Sequence, residues 1–404
     1  MKIAGIIAEY NPFHNGHLLQ VEATRAAGVQ AIVAVMGGNW LQRGAPALCR
    51  KQARARAALL SGVDLVLELP LPYAAATAER FAFGGVEALA GLGCVDTLSF
   101  GSEAGDLALL TSCAAALEEP LLDQEIRARL ERGVTYAAAR QQGVEALFGP
   151  AVAAPFSSPN NILAIQYIRE LRRLGMPMEP FTVERRGAGH HEAAPLAAGE
   201  GAPRPTASAT WLRGLLEAGR LEAARPYLPE GAWEVIAGEL GEGRGADPAR
   251  LELPMLAALR RMSAADFALL PDVSEGLEHR LVSAVRSSAS VAQVLERVKT
   301  KRYTHARLRR ILVAAYLGLP GGLSFRRPPY LRVLGMNETG ARVLREAKSR
   351  ARLPISHSLA QLERLGGEAG RLAALESRST DLYTLLWPQV PPCGTDYTES
   401  IIKV

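Results

Sequence analysis

Cysteine is scarce in this chain: Cys49, Cys94, Cys113 and Cys393 are all that 404 residues carry. They are widely separated, with no Cys-x-x-Cys pair and no histidine at zinc-ligand spacing. That excludes a disulfide scaffold and a zinc ribbon, and the thiols are expected to be reduced and structural. No apolar stretch is both long enough and free enough of charge to span a bilayer, so no membrane partner is expected. A basic leader followed by an apolar core is also missing, because the N-terminus enters a strand at once. The expected location is the cytoplasm. There is no internal repeat, and the one biased tract, residues 192–205, is mostly Ala, Gly and Pro, a composition suited to a lid over a ligand. What the chain does have is apolar content of 48%, enough for a large core split over two domains.

Charge is unevenly shared. Residues 1–204 hold 18 Lys and Arg against 20 Asp and Glu, whereas 205–404 hold 28 against 21. The imbalance peaks over 297–352, where 15 basic residues face only Glu338 and Glu346. One basic helix would read as a solvated face; a window this long with almost no acids points to nucleic acid.

The opening stretch carries the chemistry. An apolar run from Ile3 to Ala8 meets a turn on Asn11-Pro12, then His14-Asn15-Gly16-His17, then a segment of helical periodicity over 18–27. The pattern is buried strand, tight loop, helix. Gly16 lets backbone approach a ligand, and a helix start favours phosphate through its free N–H groups and dipole. Two imidazoles beside it can donate hydrogen bonds to a polyphosphate and stabilise charge developing there.

Further strands are expected at 31–36, 64–69 and 96–100, alternating with helices at 49–60 and 77–92, which specifies a parallel doubly wound sheet. Ligands of such sheets lie beyond the carboxyl ends of the strands. The glycine-rich loop 37–44 sits at such an end, and its Arg43 would either contact phosphate or fix the loop. Gly101-Ser102 suits either an adenine or ribose against backbone or an ordinary turn. Residues 105–150 read as helical. Asn160 and Asn161 open a helix over 162–174, one as N-cap and the other free for a base or ribose. A strand over 178–183 delivers Arg185 and Arg186, a plausible polyphosphate clamp. The run 206–213 opens a further helix, with Ser208 or Thr210 as N-cap. Beyond 214 helical spacing dominates, with a linker at 241–247 and a small βα element around 331–355 buried in the helical domain. Within 305–317, Ile311, Leu312 and Tyr316 turn inward, and Arg302, Arg309 and Arg310 are expected to meet RNA phosphates.

Phe13-His14-Asn15-Gly16-His17 after a first strand resembles the HxGH signature of the nucleotidylyltransferase superfamily. Segments 5–18, 37–48, 64–74, 100–103, 158–168, 184–192, 208–213, 301–312 and 394–404, spread in order over the chain, resemble the bacterial tRNA(Met) cytidine acetate ligase family. The resemblance implies an α/β fold: a doubly wound, HUP-like nucleotidyltransferase domain over 1–219, then a mostly helical, basic, tRNA-binding domain over 220–404. It implies activation of acetate by ATP as acetyl-adenylate, with pyrophosphate leaving. The wobble cytidine N4 of elongator tRNA(Met) then attacks, giving N4-acetylcytidine and AMP. His14 and His17 would stabilise charge on the α-phosphate. Arg185, Ser208, Thr210 and Arg213 would hold the pyrophosphate, with Mg²⁺ and no protein metal ligand. ATP would lie along Ile7, Ala8, Glu9, Tyr10, Asn11, Pro12, Phe13, His14, Asn15, Gly16, His17, Leu18, Leu19 and Gln20, with Gly101, Asn160 and Asn161. Residue 190 is His where the family pattern calls for an aromatic such as Tyr, which leaves the role of His190 open; the exact roles of Arg43, Arg186 and His191 are open too. A small-molecule adenylyltransferase with an appended RNA-binding domain is the alternative, and a decayed, non-catalytic RNA-binding protein a third; intact HNGH and SATWLR speak against decay.

Overall fold

The structure, a computed structural model, describes residues 1–175, 177–185, 204–274, 276–300, 303–319 and 327–404. Its strands are β1 (Ile3–Ala8), β2 (Ala31–Gly37), β3 (Trp40–Leu41), β4 (Ala45–Pro46), β5 (Leu65–Leu69), β6 (Thr97–Ser102), β7 (Glu179–Glu184), β8 (Leu331–Met336), β9 (Ile355–Ser356) and β10 (Ile402–Lys403). Eight of them form one sheet, ordered β10-β8-β5-β2-β1-β6-β7 with β9 beside β8, and β3 and β4 make a separate hairpin. Pairing along β5-β2-β1-β6-β7 is parallel throughout, as the alternation of strands and helices predicts. Alternate residues of β1 and β2 reach opposite faces: Ile3, Ile7, Val33 and Val35 enter one core, and Ala4, Ile6, Ile32 and Ala34 the other. Helices cover both faces, which is why these strands are apolar at every position.

The chain winds outward from β1 through β2 to β5, then returns to place β6 on the other side of β1. That reversal opens a crevice beyond the carboxyl ends of β1 and β6, where doubly wound sheets bind ligands.

One expectation is overturned. The apolar run near 331 is not buried in a separate helical domain; β8 pairs antiparallel with β5, Leu65 opposite Met336 and Glu68 opposite Arg332. β9 and β10 pair parallel to β8. The chain beyond residue 219 thus supplies three strands to the sheet begun by the first half. The physical reason is the bare edge of β5, which is buried along its whole length and needs a partner for its N–H and C=O groups.

A charged cluster seals this seam. Lys51 Nζ contacts Glu68 Oε1 at 2.7 Å and Asp396 Oδ2 at 2.8 Å, while Arg332 reaches Glu68 Oε2 at 3.0 Å and Asp396 Oδ1 at 2.9 Å. All four are buried. Burial works against the Asp396 carboxylate, but Lys51 and Arg332 hold its pKa below the ordinary value. Nearby Glu376 is pushed up to about 8 by burial and by the Glu68 carboxylate, and its Oε1 accepts from the Leu71 N–H at 2.6 Å. The C-terminal segment is therefore part of the core. The cysteines are all unpaired, three buried and Cys393 exposed.

Candidate nucleotide site

β1 ends in a sharp turn in which Tyr10 takes a φ of +47° and the Asn11-Pro12 peptide is cis. His14 then caps helix Asn15–Ala26. Its Nδ1 accepts from the Gly16 N–H at 3.1 Å, and the His14 N–H donates to His17 Nδ1 at 3.2 Å. The two rings stack with centroids 3.8 Å apart. Because each Nδ1 is an acceptor, the hydrogen-bond network assigns the ring proton to Nε2 on both. Burial, reinforced by the guanidinium groups of Arg185 and Arg213, lowers the His14 pKa to about 3. Burial, then His14 and Arg185, puts His17 well below 6.5. Both imidazoles are thus neutral N–H donors near pH 7, suited to hydrogen-bond a phosphate without adding charge.

The cationic groups come from elsewhere in the chain. Ser208 caps helix Ala209–Glu217, accepting from the Trp211 N–H at 3.2 Å. One turn on, Arg213 is buried, donating to the Asn11 carbonyl at 2.8 Å and to Thr210 Oγ1 at 3.0 Å. Burial, then the like charge of Arg43, lowers its pKa to about 10. Arg185 leaves the end of β7, and its side chain lies over Gly101: a Cβ there would stand 3.0 Å from Arg185 Cγ. A residue larger than glycine at 101 would displace that arginine.

The structure corrects the reading of the paired asparagines. Ser158 is the cap residue of helix Pro159–Leu174 and makes no side-chain cap bond. The Glu103 carboxylate takes that role, accepting from the N–H groups of Asn160 at 3.2 Å and Asn161 at 2.7 Å. The Asn160 amide also donates to Glu103 at 2.7 Å, so it is not free, and Asn161 Oδ1 accepts from the Ala104 N–H at 2.9 Å. Both side chains fix the loop after β6. An acid contributed from another loop leaves no spacing signal, so the sequence gives no hint of the part Glu103 plays.

The opening segment divides by job. Ile7 packs in the core against Gly85, and Phe13 is fully buried. Asn15 donates to the carbonyls of Pro205 at 2.8 Å and Pro226 at 3.0 Å, tying down the loops around the Ser208 helix. Gln20 donates to the Ser99 carbonyl at 3.2 Å. Glu9 Oε1 accepts from the Gln42 N–H at 2.9 Å and so holds the tip of the β3–β4 hairpin. Ala8 and Leu18 pack half-buried against the core, Pro12 is buried and Leu19 half-buried. Sequence reasoning also missed Arg54, fully buried, which donates to the carbonyls of Glu9 and Gly38 and joins the loops after β1 and β2. An Arg in a helical run looks solvated until both loops close over it.

Of the basic window, Arg309 is exposed and Arg310 donates to Asp272 at 3.0 Å. Ile311, Leu312 and Tyr316 are buried, as the periodicity predicts. Arg302, Arg186, His190 and His191, and most of the 192–205 tract, lie outside the described residues. Among the described residues no group of three His, Cys, Asp or Glu could hold a metal ion, and no helix is long and apolar enough to cross a membrane.

Neutral imidazole donors and guanidinium groups meeting over a sheet's switch point equip a protein of the nucleotidyltransferase class, which must grip a triphosphate. The chain belongs to the HIGH nucleotidyl transferase family, whose pattern matches residues 1–395, and within it to the tRNA(Met) cytidine acetate ligases. The relative of that name from Syntrophotalea carbinolica is 41% identical, with 96% of this chain and 95% of the relative aligned. The one from Bacillus subtilis is 37% identical over 98% and 95%. The crystal structure of Thermotoga maritima TmcAL bound with alpha-thio ATP superposes with a TM-score of 0.90 at 30% identity, covering 100% of both chains.

Proposed function

We propose that this chain is an ATP-dependent ligase that acetylates the wobble cytidine of elongator tRNA(Met), using acetate. An acetate oxygen attacks the α-phosphorus, the bond to the β-phosphate breaks, and pyrophosphate leaves. The cytidine N4 lone pair then attacks the acetyl carbonyl, the bond to AMP breaks, and N4 loses a proton. The observation that carries this reading is the pair of Nε2–H donors held by the helix cap of His14 and His17 beside Arg185 and Arg213. A carboxylate attacking phosphorus needs mainly alignment and charge stabilisation, which such donors supply. Mg²⁺ carried in with the nucleotide would offset the charge of the triphosphate, beside Arg185, Ser208, Thr210 and Arg213. Ser208, Thr210 and Arg213 hold the pyrophosphate end, and the tRNA docks over the basic second half, a reaction set in the cytoplasm.

The test has two parts. ATP–pyrophosphate exchange should require acetate, and nucleosides from elongator tRNA(Met) incubated with enzyme, ATP and acetate should include N4-acetylcytidine by mass spectrometry. Exchange that is indifferent to acetate, with unmodified tRNA, would point to a small-molecule adenylyltransferase instead.

A further inference from the structure

Arg43 is a cation of this neighbourhood that the mechanism above leaves unused. It sits at the tip of the β3–β4 hairpin, and its guanidinium lies 3.5 Å from Thr210 Oγ1, the hydroxyl that Arg213 donates to at 3.0 Å. Two guanidinium groups therefore converge on one oxygen. Among the described residues neither forms an ion pair. Among the described residues, Arg43 Nε and the side-chain Nε2 of neighbouring Gln42 are both buried without a hydrogen-bond partner. Buried donors left unpaired, next to a like charge, cost free energy unless an anion receives them. The like charge is felt: it contributes to lowering the Arg213 pKa.

The hairpin's position is imposed, not adaptable. Gly44, which follows Arg43 in the turn, takes a φ of +70°, and a Cβ on it would stand 2.5 Å from the Arg309 carbonyl carbon and 2.5 Å from the Arg310 nitrogen. Glycine is required on both counts. On the other side of Arg43 the tip is held by Glu9 through the Gln42 N–H. Arg43 is thus clamped between the HxGH loop and helix His305–Leu317, with its charge directed at the start of the Ser208 helix.

We propose that Arg43 is a further substrate-binding residue, which with Thr210 and Arg213 grips the two distal phosphates of ATP and the pyrophosphate released from them. This assignment rests on ATP being the substrate, as argued above. Arg43 then contributes little to holding AMP, because the adenosine monophosphate portion lies toward His14, His17 and Gly101.

Calorimetry on the full chain tests this, titrating pyrophosphate, ATP and AMP separately into wild type, Arg43→Ala and Arg43→Lys. In Arg43→Ala, affinity for pyrophosphate and ATP should fall about tenfold to a hundredfold, the range for a lost charged hydrogen bond, with AMP affinity unchanged. Arg43→Lys should recover part of the loss. Gly44→Ala, which keeps Arg43 but forces the hairpin off the helix, should show the same selective defect. An equal loss for AMP would make Arg43 a loop-fixing residue and overturn the proposal. Unchanged pyrophosphate and ATP binding with weaker tRNA retention would assign Arg43 to the RNA and overturn it as well. Wild-type protein lacking acetate-dependent exchange would sink the ligase reading alone, since the comparison of pyrophosphate with AMP still decides Arg43.

Discussion

At the scale of single residues, the imidazole of His14 caps a helix through Nδ1, and in the proposed reaction its Nε2–H is the donor to phosphate. Asparagine can replace the first function but not the second at the same place. His14→Asn should therefore keep the fold and lose acetate-dependent exchange, and His17→Ala should lose about 10²–10³ in rate, as for an oxyanion donor. If either variant exchanged at the wild-type rate, the assigned role would be wrong. The lowered His14 pKa also has a thermodynamic signature. Below the ordinary value of 6.5 the unfolded chain takes up a proton that the folded state refuses until about pH 3. Stability is then flat above pH 6.5 and declines as pH falls toward 3, by up to about 1.4 kcal/mol per pH unit from this one group. Urea unfolding of wild type and His14→Asn between pH 7 and 4 should give the variant the shallower decline.

Elements, too, are held by groups whose protonation matters. The seam between β5 and β8 encloses Lys51, Glu68, Arg332 and Asp396 as two opposite pairs, with Glu376 protonated beside them near pH 7. Because burial and Glu68 raise the folded pKa of Glu376 to about 8, its contribution is intact below the unfolded value of 4.5 and lost as pH rises to about 8. Glu376→Gln keeps an acceptor for the Leu71 N–H and cannot ionise. Its stability relative to wild type should improve steadily from pH 4.5 to 8, read from denaturation midpoints. A constant difference across that range would mean Glu376 ionises normally in the fold.

For the whole molecule, the two halves of the chain share one sheet, so a fragment ending near residue 219 would leave the outer edge of β5 bare. Contributions to tRNA binding are better read from point variants. Arg309 is exposed on helix His305–Leu317, whereas Arg310 is answered by Asp272. Arg309→Ala should weaken tRNA binding without altering ATP affinity, and should flatten the log–log dependence of tRNA affinity on salt by about 0.7–0.9, one phosphate contact. An unchanged slope would remove Arg309 from the interface.

Local pattern was enough to determine the five parallel strands, the helix start at His14-Asn15-Gly16-His17 and the buried face of helix His305–Leu317, because each depends on neighbours within a turn or a pleat. The family was legible for the same reason: its motifs are short and keep their order. Only the folded chain decided that β8 and β10 close the sheet, that Glu103 rather than an asparagine caps helix Pro159–Leu174, and that Arg54 and Lys51 are buried. Likewise Arg43, a residue the sequence left between two roles, comes to face Thr210 and Arg213 only when the hairpin seats on a helix from the far half. Periodicity reports which side of an element is apolar; which distant backbone or charge meets that side is set by packing.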